Sequence, residues 1–254
     1  MRRMWMKWMG GSLLAGLLCA PAHAEGFRVA GGVWDYTVRG FQDDHGTITD
    51  LQTFAPGRQR DGFLTLEYTH RPSWWPDLAA GYAQLSGEGS QTTSAIPGGG
   101  LPLPLPIPDP TSTTTTASGD FREFDVTARY AIQLGPLQLS PGLSLGWITG
   151  HITTSTTDVT GTSTVERSYN TPYPMLHAQL AWPFGDRFRL STQINWIKAN
   201  DNEVLQYGAQ AELRVLGPIG LYGGWQDRHY KISTSDSYLD ARLRGARYGL
   251  LIVF

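Results

Sequence analysis

Residues 240–254 read DARLRGARYGLLIVF, and the chain ends on their last, aromatic residue. One parity of this stretch carries large apolar and aromatic side chains, namely Tyr248, Leu250, Ile252 and Phe254. The other parity includes Arg247 and Gly249. A period of two is that of a β-strand, so the sequence predicts that the chain closes on a strand with one apolar face.

The opposite end of the chain has the pattern of a secretory signal peptide. Arg2, Arg3 and Lys7 precede an apolar run over 10–20, and Ala22-His23-Ala24 supplies small residues at a cleavage site. The run is shorter than the ~20 residues of a membrane-spanning helix. We therefore expect a signal peptide over 1–24 and one mature domain over 25–254, in which no cysteine remains because Cys19 is the only one.

Alternation and turn residues predict about ten strands in the mature chain. They are expected near 26–41, 60–70, 77–89, 120–134, 137–152, 166–184, 187–199, 203–216, 218–234 and 239–254. Long connections at 42–58, 89–119 and 153–165 alternate with tight turns at 134–136, 183–186 and 216–218. This asymmetry is typical of a transmembrane β-barrel, with long loops on one side and short turns on the other.

The polar parity of the predicted strands forms a candidate lumen. It carries amides and charges of both signs that can pair with one another, rather than the many lysines of a water-facing sheet. The predicted lumen network consists of Glu67, Glu123, Asp125, Arg129, His177, Arg189, Gln210, Glu212, Arg214 and Arg247.

The connection at about 90–119 has an unusual composition. Prolines alternate with leucine and isoleucine from Leu101 to Pro110, and serines and threonines follow. Alternate prolines exclude helix and sheet, so we predict a disordered extracellular loop, either a tolerated insertion or a recognition arm for a partner.

Several short motifs resemble a family of small Gram-negative outer-membrane β-barrel proteins, most of which have no assigned activity. The matching stretches are Val29-Ala30-Gly31-Gly32-Val33-Trp34, residues 69–78, Pro174-Met175-Leu176, Asn195-Trp196-Ile197 and the closing strand. The closing strand also resembles the C-terminal assembly signal of such barrels, carried by Tyr248, Leu250, Ile252 and Phe254. The resemblance implies an all-β, antiparallel, up-and-down barrel of about 10 strands, with 8 as the alternative.

The same resemblance implies a location and partners. We expect a monomer in the bacterial outer membrane with both termini in the periplasm, in contact with outer-membrane lipids, lipopolysaccharide and, during biogenesis, the barrel assembly machinery. A barrel of this size has an interior that side chains nearly fill, whereas open aqueous pores need about 16 strands. The first hypothesis is therefore a structural or interaction role, and a narrow channel for small solutes is an alternative.

A second alternative is an outer-membrane protease of the omptin type, in which an Asp-x-His pair faces two acidic residues across the barrel mouth. Asp227 and His229 supply such a pair, and Asp43 and Asp44 are the nearest acidic candidates. The competing interpretation places Asp227 and His229 in the lumen network with Arg247 and Lys231.

Other chemistry has little support in the sequence. The six histidines are scattered without a ligand spacing, so neither a metal nor another cofactor is predicted. His151 and His177 form no recognisable nucleophile set with nearby serines, and a formal net charge of −2 gives no indication of nucleic-acid binding. Arg228, Arg242 and Arg244 are predicted on the lipid-facing parity near the outer rim, where they could contact lipopolysaccharide phosphates.

Overall fold

The fold is all-β, as the alternation predicts. The computed structural model describes residues 26–44, 47–55, 57–70, 75–95, 111–233 and 237–254. The predicted signal peptide and the proline-rich segment at 101–110 lie outside these residues. Valine, isoleucine, threonine and aromatic residues are common in the strands because branched and aromatic side chains pack well on a pleated surface.

Twelve strands are present in the described residues. They are β1 (Phe27–Asp44), β2 (Thr47–Asp50), β3 (Gln59–Tyr68), β4 (Asp77–Ala95), β5 (Thr111–Arg129), β6 (Ile132–Leu134), β7 (Leu137–Asp158), β8 (Gly161–Phe184), β9 (Phe188–Ala199), β10 (Asn202–Leu216), β11 (Ile219–Ser233) and β12 (Ser237–Val253). β6 is a short piece that pairs with β7, and β2 pairs with the far end of β1.

The other ten strands form a closed antiparallel ring, so the predicted barrel and its approximate strand number are confirmed. Each strand pairs with its neighbours in chain order, and β12 pairs with β1 along the whole of β1 beyond Phe27, from Arg28 opposite Val253 to Asp44 opposite Ser237. Closure satisfies the backbone hydrogen bonds of both end strands. The stretch at 240–254 is thus the seam of the barrel.

The two ends of the ring differ. At the end that carries Phe27 and Phe254, here called the lower end, tight turns connect the strands at Gly135, Gly185 and Gly217. Each of these glycines has a φ between 54° and 62°, which a residue with a Cβ rarely adopts. At the opposite, upper end, β2 and a short helix lie between β1 and β3, whereas two-residue turns join β7 to β8 and β9 to β10.

Much of what the sequence predicts as loop is strand. β4 and β5 pair from Asp77 opposite Arg129 to Ala95 opposite Thr111, so only residues 96–110 of the predicted loop at 90–119 fall outside described strands. β7 and β8 likewise pair as far as Asp158 opposite Gly161. Threonine favours a strand, and cross-strand hydroxyl pairs such as Thr157 with Thr162 at 3.0 Å support these extensions.

The polarity of the wall reverses along the barrel axis. An upper aromatic ring on the outer wall, formed by Tyr82, Phe124, Trp147, Trp196, Tyr207 and Trp225, marks the level of the change. Below this ring, in the lower barrel, exposed apolar side chains such as Leu143 and Leu250 cover the outside, and charged residues lie inside. Above it, in the upper barrel, the buried interior is apolar and the outside carries arginines.

A short helix completes the upper barrel. α1 (Leu51–Phe54) follows β2 and contacts β1, β4 and β5. The Asp50 carboxylate accepts a hydrogen bond from the Gln52 N–H at 2.8 Å and caps the turn. No helix in the described part of the chain is long and apolar enough to cross a membrane.

Candidate functional sites in the lumen and on the outer wall

An ion-pair network crosses the lower lumen. The Arg28 guanidinium reaches from β1 to the Glu212 carboxylate on β10 at 3.0 Å, and Arg129 on β5 reaches Glu67 on β3 at 3.1 Å. Arg189 on β9 joins the two pairs, at 3.4 Å from Glu67 and 3.5 Å from Glu212. Since these strands lie around the whole ring, their side chains tie opposite walls together and occupy the cross-section.

A second network lies above the first and is centred on Glu123. Its carboxylate accepts hydrogen bonds from the Tyr173 hydroxyl and the Gln206 amide, both at 2.6 Å, and forms a close ion pair with Arg228. The Arg228 guanidinium also lies over the Trp34 ring, 4.9 Å from its centroid. Oε1 of this buried carboxylate accepts both hydrogen bonds and Oε2 faces Arg228, so Glu123 connects side chains from four strands, β5, β8, β10 and β11.

The other residues predicted for the lumen also lie on the inner face. The His177 ring and Asn195 share a hydrogen bond at 2.6 Å, Gln210 donates to Glu212 at 3.3 Å, and Arg247 donates to Gln226 at 2.6 Å and covers the Phe63 ring. Asp125 borders the same cavity of about 60 Å³ as Arg247, and Arg214 lies at the lower mouth. The structure therefore brings all ten predicted side chains to one continuous interior.

The sequence-based prediction missed the upper chamber, an apolar cavity of about 110 Å³ inside the upper barrel. Its walls are aliphatic and aromatic, formed chiefly by Val38, Leu51, Leu85, Phe121, Ile148, Ile152, Leu239, Ala241 and Leu243. The sequence of β12 contains a signal for this chamber, because the large apolar residues change from odd-numbered to even-numbered positions along the strand. Leu239, Ala241 and Leu243 are odd-numbered and inward, whereas Tyr248 and Leu250 are even-numbered and outward.

Of the three arginines predicted on the lipid-facing wall, two are outside. Arg242 and Arg244 have side chains 46% and 58% exposed on the outer wall of β12. The Arg244 guanidinium lies over the indole of Trp225, 5.0 Å from its centroid. Arg244 is therefore at the level of the upper aromatic ring, to which Trp225 belongs. The prediction for Arg228 is wrong, because its side chain turns into the lumen and is 4% exposed.

The closing strand presents its even-numbered residues to the outside. Tyr248, Leu250 and Phe254 are 47%, 60% and 46% exposed, and Ile252 is half-buried on the same face. The Phe254 ring lies 6.1 Å from that of Phe27, across the seam. The predicted assembly residues therefore form one apolar strip beside the point of closure.

Comparison with known proteins identifies a solved structure of similar architecture. No protein-family profile and no curated protein matches the sequence. Among solved structures, the outer-membrane protease OmpT of Escherichia coli superimposes with a TM-score of 0.60 over 91% of this chain and 98% of its own, at 9% identity. The chain has the outer-membrane β-barrel fold.

Other outer-membrane barrels align over most of the chain with lower scores. The translocator domain of the autotransporter NalP from Neisseria meningitidis gives a TM-score of 0.49 at 11% identity, covering 96% of this chain and 94% of that domain. Neisserial surface protein A gives 0.32 at 8% identity, covering 91% and 99%. The similarity to OmpT, at 9% identity, shows the fold alone, so the activity of this barrel has to be argued from its own residues.

In this outer-membrane barrel, the residues predicted for hydrolysis do not form a site. Asp227 and His229 lie on the outer wall, not in the mouth or the lumen network, so both predicted placements are wrong. The Asp227 carboxylate accepts hydrogen bonds from Arg242, at 2.9 and 2.7 Å, and from the Tyr207 hydroxyl at 2.9 Å. His229 pairs with Asp240 at 2.8 Å.

The acidic candidates for the same site lie elsewhere on the barrel. Asp43 has the outward parity of β1 and is opposite Tyr238, whereas Asp227 is opposite Arg244. Those partners are six residues apart on β12, a separation of about 20 Å along a strand. The side chain of Asp44 is outside the described set. Among the described residues, no group of three or more metal-ligating side chains is present.

Proposed function

We propose that this protein is a non-conducting barrel of the bacterial outer membrane, with a structural or interaction role and no catalytic site. The observation that carries this proposal is the network of Arg28, Glu67, Arg129, Arg189 and Glu212 across the lower lumen. The Glu123–Arg228 pair and the aromatic rings around it form a second closure above the first. A solute on the channel path would have to displace both layers of paired charges.

Membrane insertion is supported by the outer wall of the lower barrel. Leucine, isoleucine, tryptophan and tyrosine side chains are exposed there in one continuous band, with Leu143 at 65% exposure. In water such a band would be a strong driving force for aggregation, whereas hydrocarbon solvates it. Tyr130, Trp182, Phe184 and Phe254 are exposed towards the lower end and match the upper aromatic ring as a second interfacial girdle.

The interaction surface is the part of the barrel above the ends of β3 and β9. There the upper ends of β4, β5, β7 and β8 continue as an open four-stranded sheet rich in threonine and serine. Ser155 and Thr164 pair their hydroxyls at 3.0 Å, as do Thr92 and Thr114 at 3.2 Å. A hydroxyl-rich sheet with few charges suits partners outside the cell that bind chiefly through hydrogen bonds.

Conductance tests the closed lumen. The purified barrel should stay silent in a planar lipid bilayer, because the paired side chains occupy the cross-section. Replacing Arg28 and Arg189 together by alanine should raise small-ion leakage, since the cross-lumen pairs Arg28–Glu212 and Arg189–Glu67 are both lost. Arg187→Ala, in the exposed turn before β9, is the matched control and should leave the barrel silent. Steady openings of the parent protein would establish the narrow channel instead.

Orientation can be tested with single cysteines, since Cys19 lies in the predicted signal peptide. We expect Thr160→Cys, in the β7–β8 turn, to react with a membrane-impermeant maleimide on intact cells. Asp186→Cys, in the turn between β8 and β9, should react only after the outer membrane is permeabilised. The reverse pattern would overturn the proposed periplasmic position of both termini.

The partner proposed for the outer wall is the anionic headgroup layer of the outer leaflet, which contains lipopolysaccharide phosphates. Arg242 lies opposite Arg39 across the seam, and Arg244 lies next to them, above the upper aromatic ring. Asp227 holds Arg242 in place but is itself only 1% exposed, so the exposed charge of this cluster is positive. Guanidinium groups bind phosphate through paired charge-assisted hydrogen bonds.

Phosphate analysis of the purified protein tests this contact. Arg242→Gln combined with Arg244→Gln should lower the lipopolysaccharide that co-purifies with the folded barrel. Arg187→Gln removes one exposed arginine at the opposite end and should leave it unchanged. Equal amounts in all three proteins would rule out a specific role for the pair.

A further inference from the structure

The upper chamber is a partly open apolar space with a polar floor. At the floor, the Tyr36 hydroxyl donates to the Asp61 carboxylate at 2.6 Å, and the Ser86 N–H donates to the same carboxylate at 2.7 Å. The Tyr230 hydroxyl accepts a hydrogen bond from Gln206 at 3.3 Å. These hydrogen-bonded groups lie between the chamber and the lower cavity, and the two cavities share no lining residue in the described part of the chain.

Small residues leave the space open. Ala55, Ala117 and Ala241 border the chamber together with Gly87 and Gly119, where neighbouring inward positions carry leucine, isoleucine or tyrosine. Ala55 directly follows α1, and its N–H donates to the Leu51 carbonyl at 2.9 Å, so the capped helical turn forms one wall. Protein interiors seldom contain voids much larger than a water molecule, and a volume of about 110 Å³ exceeds that.

The chemistry of the walls defines what the chamber can hold. Among the described residues, no side chain that lines it carries a charge, and aliphatic carbons of Val38, Leu85, Ile148 and Leu243 face the space. A charged ligand would therefore lose its hydration without gaining a partner. Cavities of about 150 Å³ with aliphatic and aromatic walls stay dry and accept benzene, so this chamber has room for a single six-membered ring or a chain of similar size.

We propose that the upper chamber binds a small, uncharged, apolar solute, of the size of one hydrocarbon ring, that enters from the upper end. Ala241 and Ala117 set the volume, and the aliphatic side chains supply the contact surface. The chamber lies above the hydrogen-bonded floor, so the solute is held there and does not continue into the lower lumen. Binding in the chamber does not require that the lower lumen be closed to ions.

Methyl NMR with toluene as the probe tests the proposal on the full barrel in micelles. Isoleucine δ1 methyl groups report from both sides of the wall, since Ile148 and Ile152 line the chamber while Ile194 and Ile219 are exposed on the outside. Toluene should shift the Ile148 and Ile152 signals saturably, and it should change Ile194 and Ile219 only in proportion to its concentration in the micelle. Benzylammonium, which adds a charge to the same ring, should cause no shift at Ile148 or Ile152.

Two alanine substitutions complete the test. Ala241→Phe fills the chamber and should abolish the saturable shifts, whereas Ala209→Phe adds the same ring on the exposed outer wall and should preserve them. Folding of each variant is checked by its heat-dependent migration on an unboiled gel. If Ala241→Phe does not fold, Ala117→Leu serves the same purpose with a smaller side chain. Equal, non-saturating shifts at all four isoleucines, or shifts that survive filling of the chamber, would overturn the proposal.

Discussion

The lower and upper barrel use the same strands but opposite polarity. In the lower barrel, Leu143 on β7 faces outward and charged residues such as Arg129 fill the interior; in the upper barrel, Ile148 and Ile152 on the same β7 face inward. The hydrophobic effect requires water on one side, so apolar residues are turned inward only where water surrounds the wall. Where hydrocarbon surrounds it, polar groups must instead be satisfied inside.

The largest expected effect comes from breaking the charged core of the lower barrel. Glu123→Leu should lower the free energy of unfolding by about 3–5 kcal/mol, because Arg228 is left buried without its counter-charge. Guanidinium unfolding in lipid vesicles, followed by tryptophan fluorescence, measures the change. The double variant Glu123→Leu, Arg228→Leu should recover most of the loss. If the double variant is as unstable as the single one, packing rather than charge maintains this layer.

The position of the polarity change can be located with two substitutions on β7. Leu143→Arg places a charge on the outer wall of the lower barrel and should lower the free energy of unfolding by about 2–4 kcal/mol. Thr149→Arg, six residues further up on the same face, should lower it by only about 0–1 kcal/mol. The same unfolding assay compares them on one strand. Equal costs would mean that the hydrocarbon region does not end between these positions.

The smallest expected effect concerns the water-exposed tip of the upper barrel. Hydrogen bonds from the hydroxyl and N–H of Thr160, with one from the Gly161 N–H, lower the pKa of the Asp158 carboxyl from its ordinary value. A carboxyl whose pKa is lower in the folded chain stabilises the turn above the unfolded pKa, about 3.9, and this contribution is lost as the pH falls through the folded pKa.

Two NMR measurements test the tip. The carboxyl carbon of Asp158 should titrate with a midpoint below the ordinary value, and the protection of the Gly161 amide against exchange should fall as the pH passes through that same midpoint. Asp158→Asn removes the titrating group, so the acid-dependent step in exchange should disappear. An ordinary midpoint in the parent protein would show that the turn contacts are absent in solution.

The sequence predicts the barrel, the approximate number of strands and the tight turns, because period-two alternation and glycine at turns depend only on local geometry. It also indicates the inward residues of the lower barrel, where lipid and lumen impose opposite chemistry on alternate positions. The assumption that charged residues of β11 point inward is wrong for Asp227 and His229, which share the outward parity of Trp225, whereas Arg228 keeps the inward parity of Gln226. The change of surrounding solvent shows in the sequence only as a change in which parity is apolar, as between Leu243 and Tyr248 on β12.

The closing strand, 240–254, shows both what side-chain alternation predicts and what depends on closure of the barrel. By itself the sequence determined that this stretch is a strand, that Tyr248, Leu250, Ile252 and Phe254 share a face, and that the chain forms a membrane-type barrel, because side-chain alternation is a property of the extended backbone. Only the tertiary structure decided that Leu243 lines an apolar chamber and that Arg242 holds Asp227 on the outer wall. These placements depend on the register across the seam and on the shape of the enclosed space, which arise only when ten strands close into a ring.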